Sequence, residues 1–253
     1  MKYILLTVFI GLSIFYSNRI DGLKVNEIPK KEDARKFKFN YRTEYEVFED
    51  NGIPSFRSFD YKRLRGPEIK LNLVRDTSNY RDFSSRSRQI NVKVSNGYLV
   101  GFDTGEFGGS LYWFDNNGIE KYKICSGRIK NIHKFNESYL VTEGLGHLNT
   151  NRGQIFEIKL KGEKWVAEKY LELGNVPFAS IMIKSKSDLL VLTSKKLLKV
   201  TSNKKIIEII PDGFWGGLYP NSGLLKDEIA YFGMRNGILK FDINTGKANW
   251  LTE

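Results

Sequence analysis

The sequence has very little of the chemistry that builds metal clusters and covalent crosslinks. Its 253 residues include one cysteine, Cys125, and two histidines, His133 and His147. A single cysteine excludes an intramolecular disulfide, so packing has to stabilise the fold. A zinc site of the usual Cys and His composition is excluded in practice, because too few ligands are present. We interpret Cys125 as a structural residue at a strand end rather than a nucleophile.

Signatures of nucleotide and hydrolase chemistry are also missing from the sequence. It contains no Gly-x-Ser-x-Gly elbow, no phosphate-binding P-loop and no dinucleotide fingerprint. Residues 115–118, Asp-Asn-Asn-Gly, resemble the start of a calcium loop but lack the glutamate that completes one. This composition is typical of a tight turn, and we predict a hairpin there.

Long apolar runs are scarce, and the one exception lies at the N-terminus. Lys2 precedes a run from Tyr3 to Tyr16 that contains no acidic or basic residue. The pattern predicts a secretory signal peptide over residues 1–17, since the run is shorter than the roughly 20 residues that a membrane-spanning helix requires. An uncleaved N-terminal anchor is the alternative, because Phe15 is large where a cleavage motif has a small residue. We therefore expect an exported protein, periplasmic or secreted, with membrane anchoring left open.

The charge of the chain is strongly basic but evenly spread. The net charge is +11, and the excess is +5 both over residues 18–88 and over residues 89–253. Charge mixed this evenly indicates a solvated surface rather than the concentrated basic patch of a nucleic-acid-binding protein. We expect no nucleic-acid partner, whereas peripheral attraction to a membrane or to an acidic partner remains possible.

Four short segments repeat at a nearly constant spacing. The intervals between Leu111, Ile155, Leu197 and Ile238 are 44, 42 and 41 residues. A period in the low forties is the length of one four-stranded propeller blade. The segments cover residues 109–115, 153–159, 195–201 and 236–242.

Each repeated segment has further predicted strands on both sides. The strand before it is rich in β-branched and aromatic residues, and Asp, Asn and Gly turns follow most of the segments. The preceding strands are predicted at residues 98–102, 139–142, 189–192 and 229–232. The last strands are predicted at residues 120–124, 165–171, 205–210 and 247–251, and the first strands at 89–94, 128–135 and 178–183.

Over residues 88–253 this pattern resembles the bacterial β-propeller repeat proteins of WD40 and quinoprotein-like architecture. No Gly-His pair followed by a Trp-Asp pair, as in true WD40 blades, occurs in the sequence, so no specific family is identified. The resemblance implies an all-β fold, a small β-propeller whose four-stranded blades stack because a lone blade cannot bury both faces. Residues 18–87, strand-like at 37–41 and 45–48, are predicted to form an N-terminal arm and an extra blade. Five blades are expected, with four as the alternative, and residues 80–88 could be no more than an exposed linker.

The resemblance also implies where a site would lie. In such propellers the loops between second and third strands and those joining successive blades emerge on one face. Glycine-rich loops with aromatic and charged side chains favour a recognition surface there. The predicted binding residues are Asp103, Glu106, Phe107, Glu143, His147, Arg152, Phe214, Trp215, Tyr219 and Arg235.

These residues also have purely structural interpretations. Phe107, Trp215 and Tyr219 could plug a central channel, and His147 could be a hydrogen-bonded loop residue. Asp103 and Glu106 could form ion pairs with Arg152 or Arg235, which would leave no free acid.

We predict a binding module for a protein or glycan partner in the cell envelope or outside the cell, with no cofactor, and we favour binding over catalysis without excluding an enzyme. The alternative is a metal-dependent propeller hydrolase or lyase of the lactonase kind, with a divalent cation held by Asp103, Glu106, Glu143 and His147. A further alternative is an immunity protein against an exported toxin. Nothing in the sequence names the partner.

Overall fold

The computed structural model of the chain describes residues 18–33, 43–73, 82–83 and 87–253. The signal segment predicted at residues 1–17 lies outside the described residues. The same holds for the strand-like stretch at 37–41 and for part of the linker predicted at 80–88.

Antiparallel strands dominate the described ranges, in which no α-helix occurs, and the prediction of an all-β fold is confirmed. The strands in chain order are β1 (Asn18–Arg19), β2 (Lys24–Asn26), β3 (Tyr45–Asp50), β4 (Ile53–Ser58), β5 (Arg88–Val94), β6 (Gly97–Asp103), β7 (Gly109–Phe114), β8 (Lys121–Ser126), β9 (Ile129–Phe135), β10 (Ser138–His147), β11 (Thr150–Lys161), β12 (Lys164–Glu172), β13 (Pro177–Ile183), β14 (Asp188–Thr193), β15 (Leu197–Val200), β16 (Ile206–Ile210), β17 (Ser222–Lys226), β18 (Ile229–Met234), β19 (Gly237–Asp242) and β20 (Ala248–Thr252). Short 3-10 turns occupy Ile20–Gly22, Gly105–Phe107 and Phe214–Gly217. A helix long and apolar enough to span a membrane is not found among the described residues.

The strands of the described chain form five separate antiparallel sheets. Sheet I contains β5 to β8, sheet II β9 to β12, sheet III β13 to β16 and sheet IV β17 to β20, each in consecutive order. The N-terminal sheet has the order β1-β4-β3, and β2 adds a fifth strand to sheet IV beside β20. The four similar segments of the sequence correspond to β7, β11, β15 and β19, which are the third strands of sheets I to IV.

The turn between β7 and β8 shows how local sequence fixes these hairpins. The carboxylate of Asp115 accepts hydrogen bonds from the backbone N–H groups of Ile119 at 2.7 Å and Glu120 at 3.2 Å. Gly118 has φ +70°, a left-handed conformation that costs glycine little. The hairpin predicted at residues 115–118 is confirmed.

The second strand of sheet III, β14, is buried on both faces because sheet III lies between sheets II and IV. Every residue of β14 is buried. Leu189 and Val191 pack into the core between sheets II and III, whereas Leu190 and Leu192 pack into the core between sheets III and IV. Alternate side chains of a strand point to opposite faces. Because both faces are buried here, the sequence of this strand is an unbroken apolar run over residues 189–192.

The apolar core is divided among the spaces between neighbouring sheets. Separate clusters lie between the N-terminal sheet and sheet IV, between IV and III, between III and II, and between II and I. The remaining face of sheet I is covered by Leu71, Leu73 and Phe83. The first strands contact one another in the same succession, β5 with β9, β9 with β13 and β13 with β17, and β17 contacts β3 of the N-terminal sheet.

The N-terminal part of the chain contacts both ends of this succession. At sheet IV, the Asn26 side chain on β2 donates hydrogen bonds to the backbone oxygen of Trp250 at 3.2 Å and to Thr252 Oγ1 at 3.1 Å. At sheet I, Arg65 pairs with β5. Its backbone oxygen accepts a hydrogen bond from the N–H of Asn91 at 2.7 Å, and its own N–H donates to the backbone oxygen of Gln89 at 3.2 Å. Residues 24–26 therefore contact sheet IV, and Arg65 contacts sheet I.

Candidate binding pocket

One pocket of about 380 Å³ is lined by residues that lie in or directly beside the strands of all five sheets, and we call it the basic pocket. Each sheet supplies a residue at or next to the start of its first strand, with β3 taking that place in the N-terminal sheet. These residues are Glu44, Arg88, Arg128, Phe178 and Asn221. Because equivalent positions of five sheets converge here, the pocket is a product of the whole architecture rather than of one loop.

The described lining of the basic pocket carries more positive than negative charge. Four basic residues and two acidic residues line it, which leaves a formal excess of two positive charges. They are Arg88, Arg128, Lys130 and Arg235, with Glu44 and Asp103.

Asp103, at the end of β6, is the carboxylate around which the floor of the pocket is organised. It accepts hydrogen bonds from Arg128 Nε at 2.7 Å, from Lys130 Nζ and from the backbone N–H of Gly105 at 3.0 Å. Asp103 is 3% exposed, and the side chains of Lys130 and Arg128 are 9% and 17% exposed. These charges are largely withdrawn from water, so their mutual interactions are weakly screened.

Burial and charge act in opposite directions on these groups. Burial raises the pKa of Asp103, but the charges of Lys130 and Arg128 outweigh it and lower that pKa to about 2. Burial lowers the pKa of Lys130. The negative charge of Asp103 opposes this lowering, whereas repulsion from Arg128 adds to it. Burial also lowers the pKa of Arg88. Asp103 is thus ionised at neutral pH, and the cations around it compete for one carboxylate.

Asn221 connects the N-terminal sheet, sheet I and sheet IV across the pocket. Its backbone oxygen accepts from Arg88 Nη2 at 2.8 Å and from the guanidinium of Arg65. Its side-chain nitrogen donates to Glu44 Oε1 at 3.3 Å. Its side-chain oxygen is buried and has no hydrogen-bond partner among the described residues. The pocket wall therefore contains a buried acceptor as well as cations.

Aromatic rings form the rim of the basic pocket. Tyr219 is 53% exposed and has φ +52°, an unusual backbone conformation for a bulky residue. The Arg235 guanidinium lies 4.4 Å from the centre of the Tyr219 ring, and Arg235 Nε donates to Glu44 Oε2 at 3.3 Å. The ring of Phe178 lies 6.4 Å from that of Tyr219, and Tyr61 is 44% exposed on the same rim. Buried charges at the floor are thus combined with exposed rings at the mouth.

Three of the residues predicted for the binding surface line the basic pocket, namely Asp103, Tyr219 and Arg235. The ion partners that the sequence offered for Asp103 were Arg152 and Arg235, but its partners are Arg128 and Lys130. Both lie at the start of the first strand of sheet II, outside the loops in which the sequence predicts a binding surface. Local sequence gives no signal that distinguishes them from other basic residues of the surface.

Other predicted residues form two separate pairs. His147 Nε2 lies 3.2 Å from Glu106 Oε2, and both side chains are about half exposed. Arg152 Nη1 lies 2.8 Å from Glu143 Oε2, which also accepts from Gln154 at 2.9 Å.

The metal hypothesis placed Asp103, Glu106, Glu143 and His147 around one cation. In the described residues no group of three or more His, Cys, Asp or Glu side chains is placed to hold a metal ion.

Phe214 and Trp215 lie in the core, although the sequence placed them on the binding surface. Trp215 is completely buried, and its Nε1 donates to the backbone oxygen of Thr193 at 2.8 Å. The Phe214 ring packs edge-on against Trp250 at 5.0 Å. Burying two large rings between sheets III and IV removes much apolar surface from water, so this glycine-rich connection folds inward. Phe107, by contrast, is exposed.

Comparison with known proteins identifies no family for this chain. No protein-family model matches it, and no curated protein shows significant sequence similarity. Two structures of the extracellular domain of BT4673 from B. thetaiotaomicron align with TM-scores of 0.48 and 0.47 at 14% and 13% identity, over 92% and 89% of this chain. The chain spans 29% of the length of each of those proteins. The hemopexin fold protein CP4 from cow pea aligns with a TM-score of 0.31 at 8% identity, over 64% of this chain and 89% of that protein.

Proposed function

We propose that the protein is an exported β-propeller that acts as a binding module, with the five sheets as its blades and the basic pocket at its hub. The succession of cores between neighbouring sheets supports this arrangement, as does the contact of the N-terminal part of the chain with both sheet IV and sheet I. The signal-like pattern of residues 1–17 supports export.

The observation that carries the proposal is the convergence of all five sheets on one pocket that combines charges with exposed rings. A concave site with a few convergent polar groups is the usual form of a recognition site. The low pKa of Asp103 favours binding over acid–base catalysis, because a carboxylate held ionised by Lys130 and Arg128 is a poor proton donor or acceptor near neutral pH. The proposed ligand is a protein or a glycan of the cell envelope or the extracellular space.

An array of oligosaccharides and peptides probed with the full chain tests this function. We expect a ligand whose binding weakens about tenfold to hundredfold when Tyr219 and Arg235 are both replaced by Ala, since tyrosine and arginine are typical hot-spot residues. Lys186→Ala is the matched control, because Lys186 is an exposed cation in the β13–β14 hairpin, outside the pocket lining. Equal binding by the double variant and the wild type would contradict the proposal.

A further inference from the structure

We propose that the basic pocket recognises an acidic saccharide, whose carboxylate or sulfate group lies beside Arg128 and Lys130 while its sugar ring packs against Tyr219. This inference rests on the proposed binding function and adds the chemical class of the ligand.

An additional negative charge would stabilise the cations at the floor of the pocket. Arg128 and Lys130 share the single carboxylate of Asp103, and Arg88 lies in the same lining. A buried cation without full compensation is costly, because the low-dielectric surroundings replace water poorly. An oxyanion on the ligand supplies the missing counter-charge and accepts charge-assisted hydrogen bonds from a guanidinium and an ammonium group.

The rim of the pocket offers flat surfaces for a ring. Tyr219 and Tyr61 are both exposed by more than two fifths of their surface. The negatively charged face of an aromatic ring attracts the C–H groups of a sugar ring, and tyrosine presents this face with little loss of side-chain entropy. The left-handed backbone of Tyr219 holds its ring at the mouth, and such strain is typical of ligand clamps.

The size of the pocket favours a saccharide over a folded protein. A volume of about 380 Å³ lies at the lower end of the range of roughly 300–1,000 Å³ for small-molecule sites. Such a space accepts one or two sugar units, whereas a protein interface buries a much larger and flatter area. The ligand is therefore expected to enter by an acidic sugar at its end.

Isothermal titration calorimetry of the full chain tests the inference with five defined probes. They are digalacturonate, a sulfated disaccharide, neutral digalactose, inorganic sulfate and a glutamate-rich hexapeptide. We expect digalacturonate or the sulfated disaccharide to bind at least tenfold more tightly than every other probe. This preference should shrink as salt rises, since part of the attraction is electrostatic. Equal binding of the neutral sugar, or tighter binding of free sulfate or of the peptide, would overturn the inference.

Two substitutions separate the floor from the rim. Arg128→Gln should remove most of the preference for acidic over neutral disaccharide. Tyr219→Asn should weaken the binding of both sugars about tenfold. Asparagine is chosen because it tolerates the left-handed backbone at this position. Lys186→Ala should leave all affinities unchanged, and circular dichroism with thermal unfolding checks that each variant is folded. A retained preference in folded Arg128→Gln would contradict the proposed floor.

The outcome also distinguishes this inference from the proposed function. If none of the saccharides binds but a ligand from the array still depends on Tyr219 and Arg235, the inference fails and the binding function stands. If no ligand depends on those residues, both fail.

Discussion

Replacing Asp103 by Asn should destabilise the protein strongly, because it leaves buried cations without their carboxylate. Asp103 accepts hydrogen bonds from Arg128 and Lys130, and the Lys130 side chain is 9% exposed. Removing one partner of a buried ion pair typically costs about 3–5 kcal/mol. The asparagine amide also brings N–H donors towards two cationic donors, so it cannot replace both carboxylate interactions.

The pKa of Asp103 gives a second measure of the same interaction. Lowering it from 3.8 to about 2 corresponds to roughly 2–3 kcal/mol in favour of the charged form. Since the folded pKa lies below the unfolded value, this stability is present above pH 3.8 and is lost as the pH falls towards 2.

Urea unfolding at pH 7, followed by tryptophan fluorescence, measures the free energy of unfolding of each variant. Glu168→Gln is the control, because hydrogen bonds from Lys161 and Lys159 lower the pKa of Glu168 to about 2 as well, yet this group is exposed. Water screens exposed ion pairs, so this variant should unfold close to the wild type. Asp103→Asn combined with Lys130→Met should recover part of the loss. An Asp103→Asn variant within about 1 kcal/mol of the wild type would refute the reasoning.

Three other residues give further tests. Burial and the charge of Glu143 raise the pKa of Cys125 to about 12. A disulfide reagent at pH 8 should therefore react with this thiol about a thousandfold more slowly in the folded protein than in the unfolded chain, because the thiolate is the reactive form. Equal rates would contradict this. Burial lowers the pKa of His133 to about 4, whereas its value in the unfolded chain is near 6.5. The unfolded chain therefore takes up a proton first as the pH falls, and the free energy of unfolding should decrease by up to about 3 kcal/mol between pH 6.5 and pH 4. The same pH series on His133→Gln should lack that decrease, and an identical decrease would assign it to other groups. Trp215→Ala should lower the free energy of unfolding by about 3–5 kcal/mol in urea titrations, because it opens a cavity in the core. A near-neutral effect would indicate that this ring lies outside the core.

The strands of sheets I to III follow closely from local sequence. Hydrophobic runs and turn residues predicted β6, β10 and β14 because their side chains are buried on both faces and their ends carry Asn, Asp and Gly. The first strand of sheet IV, β17, was not predicted. Its sequence, Ser-Gly-Leu-Leu-Lys, is short and contains a glycine, and its pairing with β18 and its contact with β3 define it instead.

The candidate site was harder to predict than the strands. Asp103, Tyr219 and Arg235 were predicted from loop composition, but the cations Arg128 and Lys130 look like ordinary basic residues of a mixed surface. They become part of a site only because sheet II places the start of β9 beside the end of β6. This contact depends on how the sheets are stacked, which local patterns do not encode.

Phe214 and Trp215 illustrate the opposite error. A glycine-rich connection with two aromatic residues resembles a recognition loop, yet the same rings gain more from burial between sheets III and IV. Composition alone does not distinguish a loop that presents its rings from one that buries them.

A crystal structure of the full chain with digalacturonate tests the central claim most directly, since it reports the arrangement of the sheets and the position of the ligand together. The account predicts five sheets surrounding one axis, with a ligand carboxylate within hydrogen-bonding distance of Arg128 or Lys130 and a sugar ring on Tyr219. Sheets that do not surround a common pocket, or a ligand bound on another face with the pocket cations uncontacted, would contradict it.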